Sequence, residues 1–141
     1  VINASIVDGS GSKVRTRVTS IGQVVTAPYS YDEVSAGTLD VDNTAVNFFG
    51  PKVGQQFVLT TILLTANKNV TTDCTVDIYE ATTATATVVT KSIVNIEMLK
   101  NTGRDITGLN LLISEGSYIN GKTDDDDVFV TLMGYYIPKI E

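Results

Sequence analysis

Short runs of alternating apolar and polar residues, punctuated by glycine, proline, asparagine and aspartate, make up most of the chain. The longest run is Phe57–Asn67, FVLTTILLTAN, opened by Gly54 and closed by Asn67-Lys68-Asn69. Both of its alternating sets are apolar: Phe57, Leu59 and Leu63 on one face, and Val58, Ile62 and Leu64 on the other. This pattern predicts a central strand covered on two sides, by the core and by a loop or another subunit. The β-branched run Thr60-Thr61-Ile62 and the lack of a polar face at helical spacing exclude a helix.

The same signals predict further strands. Thr75–Glu80 places Val76 and Ile78 inward, with Asp77 and Tyr79 outward. Val88–Leu99 sets Val94, Ile96 and Met98 on one side. Val128–Ile137 sets Val130 and Leu132 against Phe129, Thr131, Met133 and Tyr135. Shorter strands are expected at Ile21–Thr26, Thr44–Phe49 (Val46 and Phe48 facing one way), Leu109–Ile113 and Tyr118–Asn120. Gly50–Gly54, Lys100–Asp105, Ser114–Gly116 and Gly121–Asp127 read as turns or loops, and the Thr/Ala run Ala81–Thr87 reads as a loop. Eight or nine short strands with a turn about every ten residues predict an all-β fold. The expected architecture is an antiparallel β-sandwich, jelly-roll-like, with an extended N-terminal arm over Val1–Val18 and one sandwich domain over 19–141.

The arm follows from the first residues. A short apolar piece (Ile2, Ile6, Val7) precedes a DGSGS joint at Asp8–Ser12. Lys13, Arg15 and Arg17 then alternate with Val14, Thr16 and Val18, so three of the ten basic residues fall within five positions. Two readings stand side by side: an edge strand kept soluble by charge, or an arm that docks on an acidic partner surface.

Composition narrows the classes of function. A chain of 141 residues suits one domain, and 43% hydrophobic against 18% charged residues argues against disorder. The net charge of −6 repels a phosphate backbone, so no nucleic-acid partner is expected. No apolar run approaches the roughly 18 residues of a membrane-spanning helix, and no membrane partner is expected. The single cysteine, Cys74, allows no intrachain disulfide. The first residues lack the charged-then-apolar pattern of an export signal, so synthesis of a soluble protein in the cytoplasm is expected.

Histidine is absent, which removes the usual general base, the usual serine triad and nearly all zinc sites. No tryptophan is present to line a sugar cleft. No enzymatic activity and no cofactor are expected. The strongest charged feature is the run Asp124, Asp125, Asp126 and Asp127. Alternating strand directions would bring it to one end of the sandwich with Asp73, Asp105, Lys68, Arg104 and Lys122. That end reads either as a salt-bridged polar rim or as an oxygen-ligand site for a hard cation such as calcium.

Several stretches together carry a resemblance. They are Phe57–Val70 (FVLTTILLTANKNV), Val76–Ala81 (VDIYEA), Leu109–Gly116 (LNLLISEG) and Lys122–Tyr136 (KTDDDDVFVTLMGYY). Over Gly22 to Tyr136 the pattern resembles small β-sandwich structural proteins of tailed bacteriophages. The resemblance implies a virion protein, made in the host cytoplasm and often trimeric. It would be a head decoration (cement) protein bound to the major capsid protein lattice, or a tail or fibre component with a receptor-binding role. It also implies partners among the virion proteins and other copies of the same chain; Lys13, Arg15 and Arg17, read from the residues as a partner-binding arm, fit that setting.

Overall fold

The computed structural model describes residues 33–40, 44–66, 73–124 and 127–139. Nine strands form among them: β1 (Glu33–Leu39), β2 (Val46–Phe49), β3 (Gln55–Ala66), β4 (Cys74–Ala81), β5 (Lys91–Met98), β6 (Gly103–Ile106), β7 (Leu111–Leu112), β8 (Tyr118–Thr123) and β9 (Val128–Pro138). They build two antiparallel sheets. One has the order β1-β9-β3-β6, with β7 also paired to β3, and the other has the order β2-β8-β4-β5. The protein is an all-β antiparallel sandwich.

The pairing is nested. β1 pairs with β9, β2 with β8, β3 with β6 and β7, and β4 with β5. The chain is thus a long two-stranded ribbon folded back at the β4–β5 connection. Rolling the ribbon brings β9 against β3 and β8 against β4, which closes the two sheets. Strand alternation supplies the core between them: Leu39, Phe48, Leu59, Ile62, Leu64, Val76, Ile78, Met98, Ile119, Val128, Val130 and Leu132 are all buried. Their burial, at about 25 cal/mol per Å² of apolar surface, is the main stabilising term.

The central strand departs from its expected pattern. A bulge between Leu59 and Thr61 shifts the β3–β9 register and reverses the phase of the alternation. Phe57 and Leu59 therefore share the core with Ile62 and Leu64, whereas Leu63 turns outward opposite Thr131. Other boundaries move as well. Residues 88–90 precede the strand predicted from Val88, which begins at Lys91. Part of the turn predicted at Lys100–Asp105 is strand β6, and the run Leu109–Ile113 pairs only at Leu111–Leu112. β1 is a strand with no predicted counterpart. The predicted strand Ile21–Thr26 and the arm Val1–Val18 lie outside the described residues.

An aromatic cluster closes one end. Phe49 stacks on Phe57 with ring centroids 4.1 Å apart, and Tyr136 meets Phe57 edge-on at 4.9 Å. Tyr136 Oη donates to Gly50 O at 2.7 Å, while Lys52 Nζ sits 3.8 Å above the Tyr136 ring and 2.7 Å from Glu33 Oε1.

Candidate functional site

The two outer faces of the sandwich differ in chemistry. On the β2-β8-β4-β5 sheet, β4 presents Thr75, Asp77 and Tyr79 outward because Val76 and Ile78 face the core. Register aligns Asp77 with Lys122 on β8 and Asn95 on β5, Tyr79 with Asn120 and Ser92, and Thr75 with Glu97. This face is not bare. The β4–β5 connection, the Thr/Ala run of the sequence, folds back over it.

Three side chains of the sheet hold that flap by hydrogen bonds. Tyr79 Oη donates to Ala86 O at 2.7 Å, and Lys122 Nζ donates to Thr87 O at 2.8 Å. Asn120 Nδ2 donates to Thr83 O at 2.9 Å and Ala86 O at 3.1 Å, while its Oδ1 accepts from Asn47 Nδ2 at 2.9 Å. At the root of the flap, Glu80 O accepts from Thr90 N and Thr90 Oγ1. Tyr79 and Asn120 are fully buried as a result. Desolvation, and then the nearby Asp77 carboxylate, push the Tyr79 hydroxyl pKa upward. Small Thr and Ala side chains suit a flap whose backbone carbonyls must come close to the sheet.

Beside the flap lies a cavity of about 210 Å³ lined by Thr75, Asp77, Asn95, Lys122, Thr123 and Asp124. Asp77 forms its floor. Only 9% of this residue is exposed, and its Oδ1 has no hydrogen-bond partner in the protein. Burial raises the Asp77 pKa above its ordinary value; Lys122, Asn95 and Ser92 oppose the shift without cancelling it.

The outer face of the β1-β9-β3-β6 sheet is different in kind. Across it run the rows Val34–Met133–Thr61, Ala36–Thr131–Leu63 and Thr38–Phe129–Thr65. Val58 lies between Tyr135 and Leu112 in a fourth row. None of these side chains is charged, and Val34, Phe129 and Leu112 are 62%, 48% and 41% exposed. Asp105 on β6, aligned with Leu63, is the charge that borders the rows on that side.

The acidic loop end is partly described. The end of β3, the start of β9 and the β5–β6 turn lie together at one end, as the register Ala66–Val128 and the bond from Ala66 N to Thr102 O require. Asp124 Oδ1 accepts from Thr75 N at 2.6 Å, and Asp73 Oδ1 accepts from Lys100 N at 3.2 Å. Asp127 immediately precedes β9. Lys122 points to the flap rather than to these carboxylates, and Arg104 and Asp105 belong to β6 rather than to a loop. Asp125, Asp126 and Lys68 lie outside the described residues, as do Lys13, Arg15 and Arg17. Among the described residues no group of three or more cysteine and carboxylate side chains could hold a metal ion.

Sequence reasoning placed Asp77 and Tyr79 outward but did not anticipate the flap, the cavity or the Asn120 anchor. The signal for the anchor was weak: an asparagine between Ile119 and Gly121 on a strand reads as an ordinary exposed polar residue.

No family model matches the chain. No curated protein matches it either. Among solved structures it is similar to a chain of the cyanophage Pam1 capsid asymmetric unit, with 19% identity and a TM-score of 0.43 over 86% of this chain and 98% of that one. A likeness at that score carries no functional weight.

Proposed function

We propose that the protein is a structural protein of a bacteriophage virion, a head decoration (cement) protein that binds the major capsid protein lattice as a trimer. The observation that carries this reading is the uncharged outer face of the first sheet. A chain of net charge −6 keeps the β1, β9, β3 and β7 positions of four consecutive cross-strand rows free of charge, with Asp105 of β6 at the edge of one, and exposes Val34, Phe129 and Leu112 there. A patch of this kind, rimmed by polar residues, fits a surface that is covered in an assembly. Sister copies are the natural cover, because a two-sided strand such as β3 gains from burial on its second face.

Two further features support assembly over catalysis. The nested strand pairing supports a jelly-roll reading, a double-sheet fold common in viral capsid domains. The second sheet's outer face spends its polar side chains on holding a flap, an arrangement that adds rigidity rather than a reaction centre. The resemblance of Phe57–Val70, Val76–Ala81, Leu109–Gly116 and Lys122–Tyr136 to phage β-sandwich proteins supplies the virion setting. In that setting Lys13, Arg15 and Arg17 serve as the contact of an N-terminal arm with acidic capsid surface.

The alternative is a tail or fibre component that turns its acidic loop end toward a host receptor. Copy number separates the two readings. Quantitative mass spectrometry of purified particles should find hundreds of copies per virion for a cement protein. A few to some tens would assign it to the tail, and absence from particles would overturn the virion reading.

A further inference from the structure

We propose that the Asp77 cavity is a docking site for the guanidinium of an arginine carried by a partner protein of the assembly. That the partner belongs to a virion assembly rests on the function proposed above; the site itself rests on its own geometry.

A carboxylate oxygen held out of water without a donor is costly; Asp77 Oδ1 is in that position, and Asp77 lines a cavity of about 210 Å³. That space is several times the ~30 Å³ share of one water molecule, so it admits a side-chain head group. The cation already present is committed elsewhere. Lys122 stands directly across the ladder from Asp77, yet its Nζ is bonded to Thr87 O at 2.8 Å and lies 5.3 Å from the centre of the Tyr79 ring.

Charge around the cavity favours a cationic visitor. Asp77 forms the floor and Asp124 the wall. Glu97 stands exposed one row along, opposite Thr75, so carboxylates outnumber ammonium groups on this part of the face. A bare metal ion fits poorly. Calcium takes 6–8 oxygens at about 2.3–2.6 Å, and the described carboxylates do not gather in a group of three. Spaced acceptors suit a planar fork instead. A guanidinium offers five N–H donors and can reach Asp77, Asp124 and the Asn95 amide oxygen together, which a lysine ammonium, a point charge, cannot.

The test titrates the full-length, isotope-labelled protein with N-acetyl-arginine methylamide, N-acetyl-lysine methylamide or calcium chloride at constant ionic strength, read by amide NMR shifts. The arginine probe should give saturable shifts at the Asn95 side-chain amide and at Thr75 and Thr123, with tighter binding than the lysine probe. Asp77→Asn should weaken arginine binding about tenfold or more, as expected for loss of a charge-assisted pair. Glu97→Gln, on the exposed rim where folding is not at risk, should weaken it by a smaller factor. Shifts that ignore both substitutions, no saturation with the arginine probe, or calcium binding more tightly at the same residues would each overturn the proposal. None of those results would alter the copy number in particles, so the assembly reading stands or falls separately.

Discussion

Phe57 occupies the space that a side chain at Gly134 would need. A Cβ at position 134 would lie 2.5 Å from Phe57 Cζ and 2.2 Å from Val58 O, beside the bulge that sets the phase of β3. The ring can turn away, but the backbone carbonyl cannot without breaking the β3–β9 ladder. Gly134→Ala should therefore cost about 3 kcal/mol or more, at or above the upper range for overpacked cores. Chemical denaturation checks this; stability equal to that of the unmodified protein would refute the packing described.

The flap depends on Asn120 more than on its own Thr and Ala residues. Asn120→Ala would remove the donor to Thr83 O and Ala86 O and the acceptor for Asn47. Losing buried hydrogen bonds and leaving partners unsatisfied costs about 1–3 kcal/mol for each orphaned group. Hydrogen exchange in 82–90 should accelerate well before global unfolding. Unchanged exchange there would show that Asn120 is not the anchor.

Asp77 should make stability fall as pH rises. Its folded pKa lies above the ordinary value of 3.8, so the native state holds the proton more tightly than the unfolded chain does. Between the unfolded and folded pKa values the unfolded state binds fewer protons, and stability drops with increasing pH through that window. Asp77→Asn should thus melt higher than the unmodified protein near neutral pH, and the gain should shrink on acidification below the unfolded value. A gain that grows at acid pH would contradict the sign.

The two described carboxylates Asp73 and Asp124 already accept backbone N–H groups of Lys100 and Thr75. They act as turn ties at the acidic end of the sandwich. A chelator should accordingly leave the melting temperature unchanged, whereas a drop of several degrees would restore the calcium reading of that end.

Much of the sandwich was legible because Val76, Ile78, Val130 and Leu132 alternate without interruption and each faces the core. The bulge between Leu59 and Thr61 was not, since Thr60 fits a regular strand as well as a bulge and the register is decided by β9. β1 escaped notice for another reason. In Glu33–Leu39 only Leu39 is a large core residue, and Gly37 faces Phe48 and Val46 because their side chains fill the space a larger residue would use. The cavity depends on the Asp77–Lys122 and Asp77–Asn95 pairings, which join residues 45 and 18 positions apart. Such neighbours follow from topology and cannot be read from local spacing.

The central claim is that the uncharged face of the β1-β9-β3-β6 sheet is covered by sister copies. Light scattering of the full chain at micromolar concentration tests it most directly. The expected mass is three times the 15.1 kDa of one chain. Phe129→Lys, in the last row of that face and half exposed, should lower it to a single chain while the fold persists, because a lysine there would have to be buried without a partner. An unmodified protein that runs as a stable monomer, or a Phe129→Lys variant that keeps the trimer mass, would contradict the claim.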